Sequence, residues 1–131
     1  MRHLWLIGLT TVLSPCRAMA ADYMVCDIKT VYTFTENAEY LKGGLNGQNP
    51  DARSWKFRFD RSTGQVIGEF RYDGIVWSVS RKGDHQNSWI LTGADDRQSL
   101  RYVLNIQTWI KGYPFFLTDV RLGDTNTGSC H

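Results

Sequence analysis

The sequence predicts an all-β fold, a small antiparallel meander of about seven strands that is barrel-like and closed by one disulfide. Three observations carry this expectation. Apolar and polar residues alternate with a period of two through most of the chain beyond residue 22, the pattern of strands with one buried and one wet face. Turn residues such as Asp73-Gly74 and Gly112-Tyr113-Pro114 cut these runs into strand lengths, so strands follow one another through reversals and not through helices. Cys26 and Cys130 stand near the two ends of the patterned region. A bridge between first and last strands needs Cα atoms within about 7 Å, which is natural when a meander curls until its edges meet. A sandwich is the other architecture open to such a pattern.

Residues 23–35 read as the first strand, rich in Tyr23, Val25, Ile28, Val31, Tyr32 and Phe34. Residues 36–41 have weakly helical composition, but Gly43, Gly44, Gly47, Asn49 and Pro50 follow and forbid a long helix, so 36–53 is expected to be a mobile loop and a candidate contact surface. Trp55, Phe57 and Phe59 alternate with Lys56, Arg58 and Asp60 on the second strand. The stretch Asp60-Arg61-Ser62-Thr63-Gly64 reverses the chain into a strand bearing Val66, Gly68 and Phe70, and Asp73-Gly74 leads to another with Ile75, Trp77 and Val79. After a polar reversal at 81–87 come a short strand at 88–92, a turn at 93–96, and the longest regular alternation, from Leu100 to Ile110. A last strand over 115–122 and a polar link from Gly123 to Gly128 complete the reading.

The first twenty residues look like an export signal: Arg2 and His3, an apolar run from Leu4 to Leu13, then Ala18-Met19-Ala20 before cleavage. That divides the chain into a signal peptide, 1–20, and an antiparallel β domain, 21–131. The apolar run is too short and interrupted to span a bilayer, so no transmembrane segment is expected and the product is periplasmic or secreted. Cys16 after a short apolar run offers lipid anchoring as a minor alternative, although Pro15 fits that pattern poorly. In an exported chain Cys26 and Cys130 read most simply as one disulfide. The signal carries two of the 15 basic residues, which leaves 13 against 13 acidic ones and no net charge. A nucleic-acid partner is therefore not expected.

Signatures of catalysis are sparse. Beyond the signal the histidines are His85 and His131, and no Gly-x-Ser-x-Gly or phosphate-cradling loop occurs. Asp84-His85 in a turn lacks a nucleophile that could be placed beside it, and Asp84, His85, Asp95 and Asp96 match no standard metal spacing. The expectation is a non-enzyme with no cofactor and no metal. Aromatic residues are the richest feature, and most belong to a core. Trp109 differs: the alternation puts it on the face of Arg101, Asn105 and Gln107, just before Lys111-Gly112-Tyr113-Pro114. Trp109, Lys111 and Tyr113 are thus the candidate binding residues, rigid aromatic area beside a charge, for an unidentified protein or small ligand.

Phe57-x-Phe59-Asp60-Arg61-x-Thr63-Gly64-x-x-x-Gly68 together with Thr127-Gly128-Ser129-Cys130 resembles a group of small, uncharacterised exported bacterial proteins. In layout the chain is also similar to the bacterial C-type lysozyme inhibitors, with Tyr23-x-x-Cys26 near the start of the domain and a closing Cys130. That resemblance implies a small antiparallel barrel and inhibition of an envelope hydrolase such as lysozyme. The inhibitors present a Ser-Gly loop leading to a Tyr, whereas here Thr63-Gly64 leads to Val66 and Ile67, so no inhibitory residue carries over. The function expected is an exported non-catalytic binding module, with the inhibitor as its alternative.

Overall fold

A computed structural model describes residues 22–34, 37, 39–42, 56–68 and 74–131. The expected signal peptide, Cys16, Trp55 and most of the 36–53 loop lie outside the described residues. Among the described residues nine strands form one antiparallel sheet: β1 (Tyr23–Phe34), β2 (Tyr40–Lys42), β3 (Lys56–Asp60), β4 (Val66–Gly68), β5 (Val76–Arg81), β6 (Trp89–Ala94), β7 (Leu100–Ile106), β8 (Pro114–Asp119) and β9 (Asp124–Cys130).

The hydrogen-bonded order is β4-β3-β1-β9-β8-β7-β6-β5, with β2 paired to the far half of β1. Strands β5 to β9 are a simple meander whose last member returns to the first strand of the domain. The all-β, barrel-like expectation holds, and the sheet is nearly closed. Packing draws its two ends together: the Phe59 ring meets the Trp89 indole edge to face at 5.2 Å, and Gly64 sits directly against Val79 and Trp89. A Cβ at Gly64 would fall 2.6 Å from a Val79 methyl, and its φ of +79° is the left-handed region that glycine enters freely. The reversal at residues 60–64 is therefore both a hairpin turn and a clasp across the seam.

Inward residues fill the barrel. Met24, Cys26 and Ile28 of β1, Phe57 and Phe59 of β3, Leu91 of β6, Tyr102, Leu104 and Ile106 of β7 and Phe115 and Leu117 of β8 are all buried. Their spacing by two is what the alternating sequence requires. Phe57 and Phe115 meet edge to face at 5.0 Å, and Trp77 stacks on Tyr102 at 6.1 Å. These described side chains form one packed hydrophobic cluster.

Cys26 and Cys130 are cross-strand partners in the β1–β9 register and form the buried disulfide. Val25 and His131 exchange both backbone hydrogen bonds beside them. The neighbouring Cys26–Cys130 pair is thus at a non-hydrogen-bonded position, where facing Cα atoms lie closest. The bridge closes a loop of sequence separation 104, worth about 4 to 5 kcal/mol by chain entropy. It fits an oxidising environment outside the cytoplasm. Among the described residues no helix is long and apolar enough to cross a membrane.

Four expectations are corrected. The polar link from Gly123 to Gly128 is most of β9, which pairs with β8 on one side and β1 on the other. A polar, threonine-rich strand forms there because pairing on both sides supplies what its own sequence lacks. Gly128 has no room for a side chain, since a Cβ would run into the carbonyl of Asp27 and the Phe115 ring. The alternation from Leu100 to Ile110 stops as a strand at Ile106: Gln107 N–H donates to the Pro114 carbonyl at 2.9 Å and the chain turns, because proline has no N–H to extend the ladder. Arg101 is not on a wet face. It is 3% exposed and its Nη2 lies 3.2 Å from Oδ2 of Asp119, itself 4% exposed. Within the expected 36–53 loop, residues 40–42 are instead a strand, β2, paired with β1.

Candidate functional site

Register places one set of turns at a single end of the barrel. Tyr23 faces Asp60, Cys26 faces Cys130, Pro114 faces Ser129, Ile106 faces Phe115, Trp89 faces Ile106 and Arg81 pairs with Ile90. Residues 61–65, 82–88 and 107–113 therefore share a rim with Asp22 and His131. We refer to this as the near rim; the turns at 95–99 and 120–123 form the far rim.

Each near-rim turn is held by its own backbone. In the first, Oδ1 of Asp60 accepts from Ser62 N–H at 2.8 Å, from the Ser62 hydroxyl at 2.6 Å and from Asp22 N–H at 3.4 Å. The Ser62 hydroxyl is the main reason its pKa is lowered to about 2, with the Ser62, Thr63 and Asp22 donors adding to it and burial opposing. Arg61 turns back to Asp22, Nε at 2.8 Å and Nη2 at 2.7 Å from Oδ2, and its guanidinium lies 5.7 Å from the Tyr113 ring centre.

The second turn follows β5. Oδ1 of Asp84 accepts from Gln86 and Asn87 N–H, each at 2.7 Å, and both its oxygens take the Asn87 side-chain amide. These donors, Gln86 N–H foremost, hold the carboxyl below its ordinary range. Asp84 is thus a turn cap, and the Asp84-His85 pair has the geometry of a solvated reversal. Gly83 lies flat on the Trp89 indole, where a side chain would collide with the ring. Asp95 caps the turn at the opposite end of β6 through Arg97 and Ser99 N–H. Six residues of strand separate the two turns, about 20 Å, so Asp84, His85, Asp95 and Asp96 cannot share an ion.

The third turn holds the three residues singled out by sequence. Ile110 N–H donates to Gln107 and Tyr113 N–H to Ile110, both through backbone carbonyls, and Gly112 has φ +84° as the third position of a type II turn requires. Trp109 is 49% exposed, in the turn and not on a strand, and its Nε1 donates to Oγ of buried Ser88 at 3.2 Å. Lys111 is exposed at the turn apex. Tyr113 is half-buried against the core, accepts Cys130 N–H at 3.0 Å through its carbonyl, and has φ +44°. A left-handed tyrosine before proline costs of order 1 to 3 kcal/mol, a strain that clusters at functional positions.

Sequence reasoning missed two members of this rim. Ser88 joins the second turn to the third, and Arg81 reaches the same residue, its Nε 3.3 Å from the Ser88 carbonyl. Nothing in the sequence links Arg81 or Ser88 to Trp109; the contact depends on β6 standing beside β7. The described part of the 36–53 loop, β2, pairs at the far half of β1 and is not a neighbour of Trp109.

No family model, curated protein or solved structure matches the chain.

Proposed function

We propose that the protein is an exported, non-catalytic binding module that meets its partner at the near rim. The observation carrying this reading is Trp109, a large indole half exposed yet pinned by Ser88, beside Lys111 and the strained Tyr113. An exposed aromatic held in one orientation presents apolar area with little entropy left to lose on binding. Affinity capture from an envelope extract, run in parallel with the parent and with Trp109→Ala and Tyr113→Ala, tests it. Each truncation of a true anchor weakens binding by about 2 kcal/mol or more while the melting temperature reports the fold. Two normally folded variants that retain the partner as tightly as the parent contradict the reading.

The inhibitor reading draws on the disulfide-closed small barrel, which is the layout that the sequence resemblance to the lysozyme inhibitors implies. Lysozyme rates measured with excess protein separate the two: slowed hydrolysis makes the partner an enzyme, and unchanged rates across a panel remove that alternative.

A further inference from the structure

Resting on the near rim as the binding surface, we infer that its partner is an acidic segment of another protein, with a carboxylate taken by Arg81 beside the Trp109 indole. Arg81 and Trp109 converge on one residue: Arg81 Nε donates to the carbonyl of Ser88, and Trp109 Nε1 to its hydroxyl. With Nε occupied, the paired donors on Nη1 and Nη2 are the fork that a carboxylate engages with two parallel hydrogen bonds. Arg81 is exposed, so the fork is open to a partner. Ser88 is itself buried, and Gly83 seats the intervening turn on Trp89, so fork and indole are held together before any partner arrives.

Charge at this rim points the same way. Its carboxylates are already engaged: Asp22 with Arg61, Asp60 with the turn at Ser62, and Asp84 with Gln86 and Asn87. Lys82, next to Arg81 at the end of β5, and Lys111, on the same turn as Trp109, are exposed, and among the described residues no carboxylate lies in ion-pair range of Arg81, Lys82 or Lys111. Three cations that form no ion pair among the described residues, on the rim that carries an exposed indole, are complementary to acidic residues flanking an apolar one, even though Asp60 and Asp84 keep their own charge nearby. The indole N–H is committed to Ser88, so Trp109 offers ring area, and the polar recognition falls to the cations.

The test is a titration of the intact disulfide-bonded domain, followed by the NMR signals of the Trp109 indole and the Ser88 amide. The probes are blocked Gly/Ser peptides with one central Leu and zero, two or four Glu, and a polygalacturonate fragment of matched charge. The inference expects saturable shifts at both signals, tightening at least about threefold from zero to four Glu and fading in high salt. Arg81→Gln weakens the four-Glu peptide at least about fivefold without lowering the melting temperature, Ser88→Ala weakens it less, and the far-rim control Arg97→Gln leaves it unchanged. Affinity independent of Glu number, or unaltered by Arg81→Gln, overturns the inference. Tighter binding of polygalacturonate also overturns it, and replaces the peptide with an acidic glycan. If no anion perturbs Trp109 while envelope capture still depends on Trp109, this inference alone fails. If capture ignores Trp109 as well, the binding reading of the rim fails with it.

Discussion

The two rims of the barrel are built alike and finished differently. At both, an aspartate opens the turn and its carboxylate accepts N–H groups two to four residues on: Asp60 and Asp84 at the near rim, Asp95 and Asp119 at the far one. At the far rim the same carboxylates also take up arginines, Asp119 binding buried Arg101 and Asp95 facing Arg121 at 3.9 Å. Among the described residues the exposed apolar ones there are aliphatic: Val76, Leu100, Val120 and Leu122. At the near rim Arg81, Lys82 and Lys111 are left without such carboxylates among the described residues, and the exposed apolar group is a hydrogen-bonded indole. One device, the aspartate-capped turn, therefore serves stability at both ends, while among the described residues a cluster of unpaired cations and a hydrogen-bonded exposed indole occur together at the near rim. The turn caps at either rim should respond to mutation through folding, the Arg101–Asp119 pair of the far rim most of all, and the exposed Trp109 surface of the near rim through binding.

The comparison can be broken first at the covalent closure. Reduction and alkylation of the Cys26–Cys130 bridge removes about 4 to 5 kcal/mol, enough to lower the melting temperature by roughly 20 °C. Calorimetry with and without reductant reads this, and an unchanged melting temperature would mean the bridge constrains little. Next, Arg101→Met leaves the buried Asp119 carboxyl without its guanidinium partner at the far rim, a loss of about 3 to 5 kcal/mol, measured by urea unfolding. A loss under 1 kcal/mol would place that pair in water. Gly83→Ala forces the second near-rim turn off Trp89 and should cost about 1 to 3 kcal/mol, with broadened Ser88 and Trp109 signals as a second readout.

Smaller and dependent on pH is the effect of Asp60→Asn. The folded-state pKa of Asp60 is lowered to about 2, whereas an unfolded aspartate titrates near about 3.9. A depressed carboxyl stabilises the fold above the unfolded value and loses that contribution as pH falls through the folded one. Asp60→Asn should thus melt below the parent at pH 7, and the gap should close between about pH 4 and pH 2. A gap constant across that range would mean that Asp60 stabilises the turn without its charge.

Much of the barrel was legible in the chain because its signal is local. Phe57 and Phe59, or Tyr102, Leu104 and Ile106, declare their buried face by spacing alone, and Asp60 to Gly64 declares its reversal by residue type. The misreadings arose where a neighbouring strand decides. Thr125 to Ser129 become a strand only because β8 and β1 flank them, and Arg101 is buried only because Asp119 arrives from β8. Trp109, Lys111 and Tyr113 could be picked out as an aromatic pair around a charge, but their turn could not be joined to Arg81 and Ser88. That contact spans 21 residues of sequence and exists only in the folded sheet.

The most direct test sets one residue from each rim against the other, measuring melting temperature and retention of envelope partners for Trp109→Ala and Arg101→Met in the same experiment. The account predicts that Trp109→Ala melts within a few degrees of the parent and loses its partner. It predicts that Arg101→Met melts far lower yet, below its own transition, retains the partner as the parent does. A folded Trp109→Ala that binds like the parent, or a folded Arg101→Met that does not bind, would contradict the division of labour between the two rims.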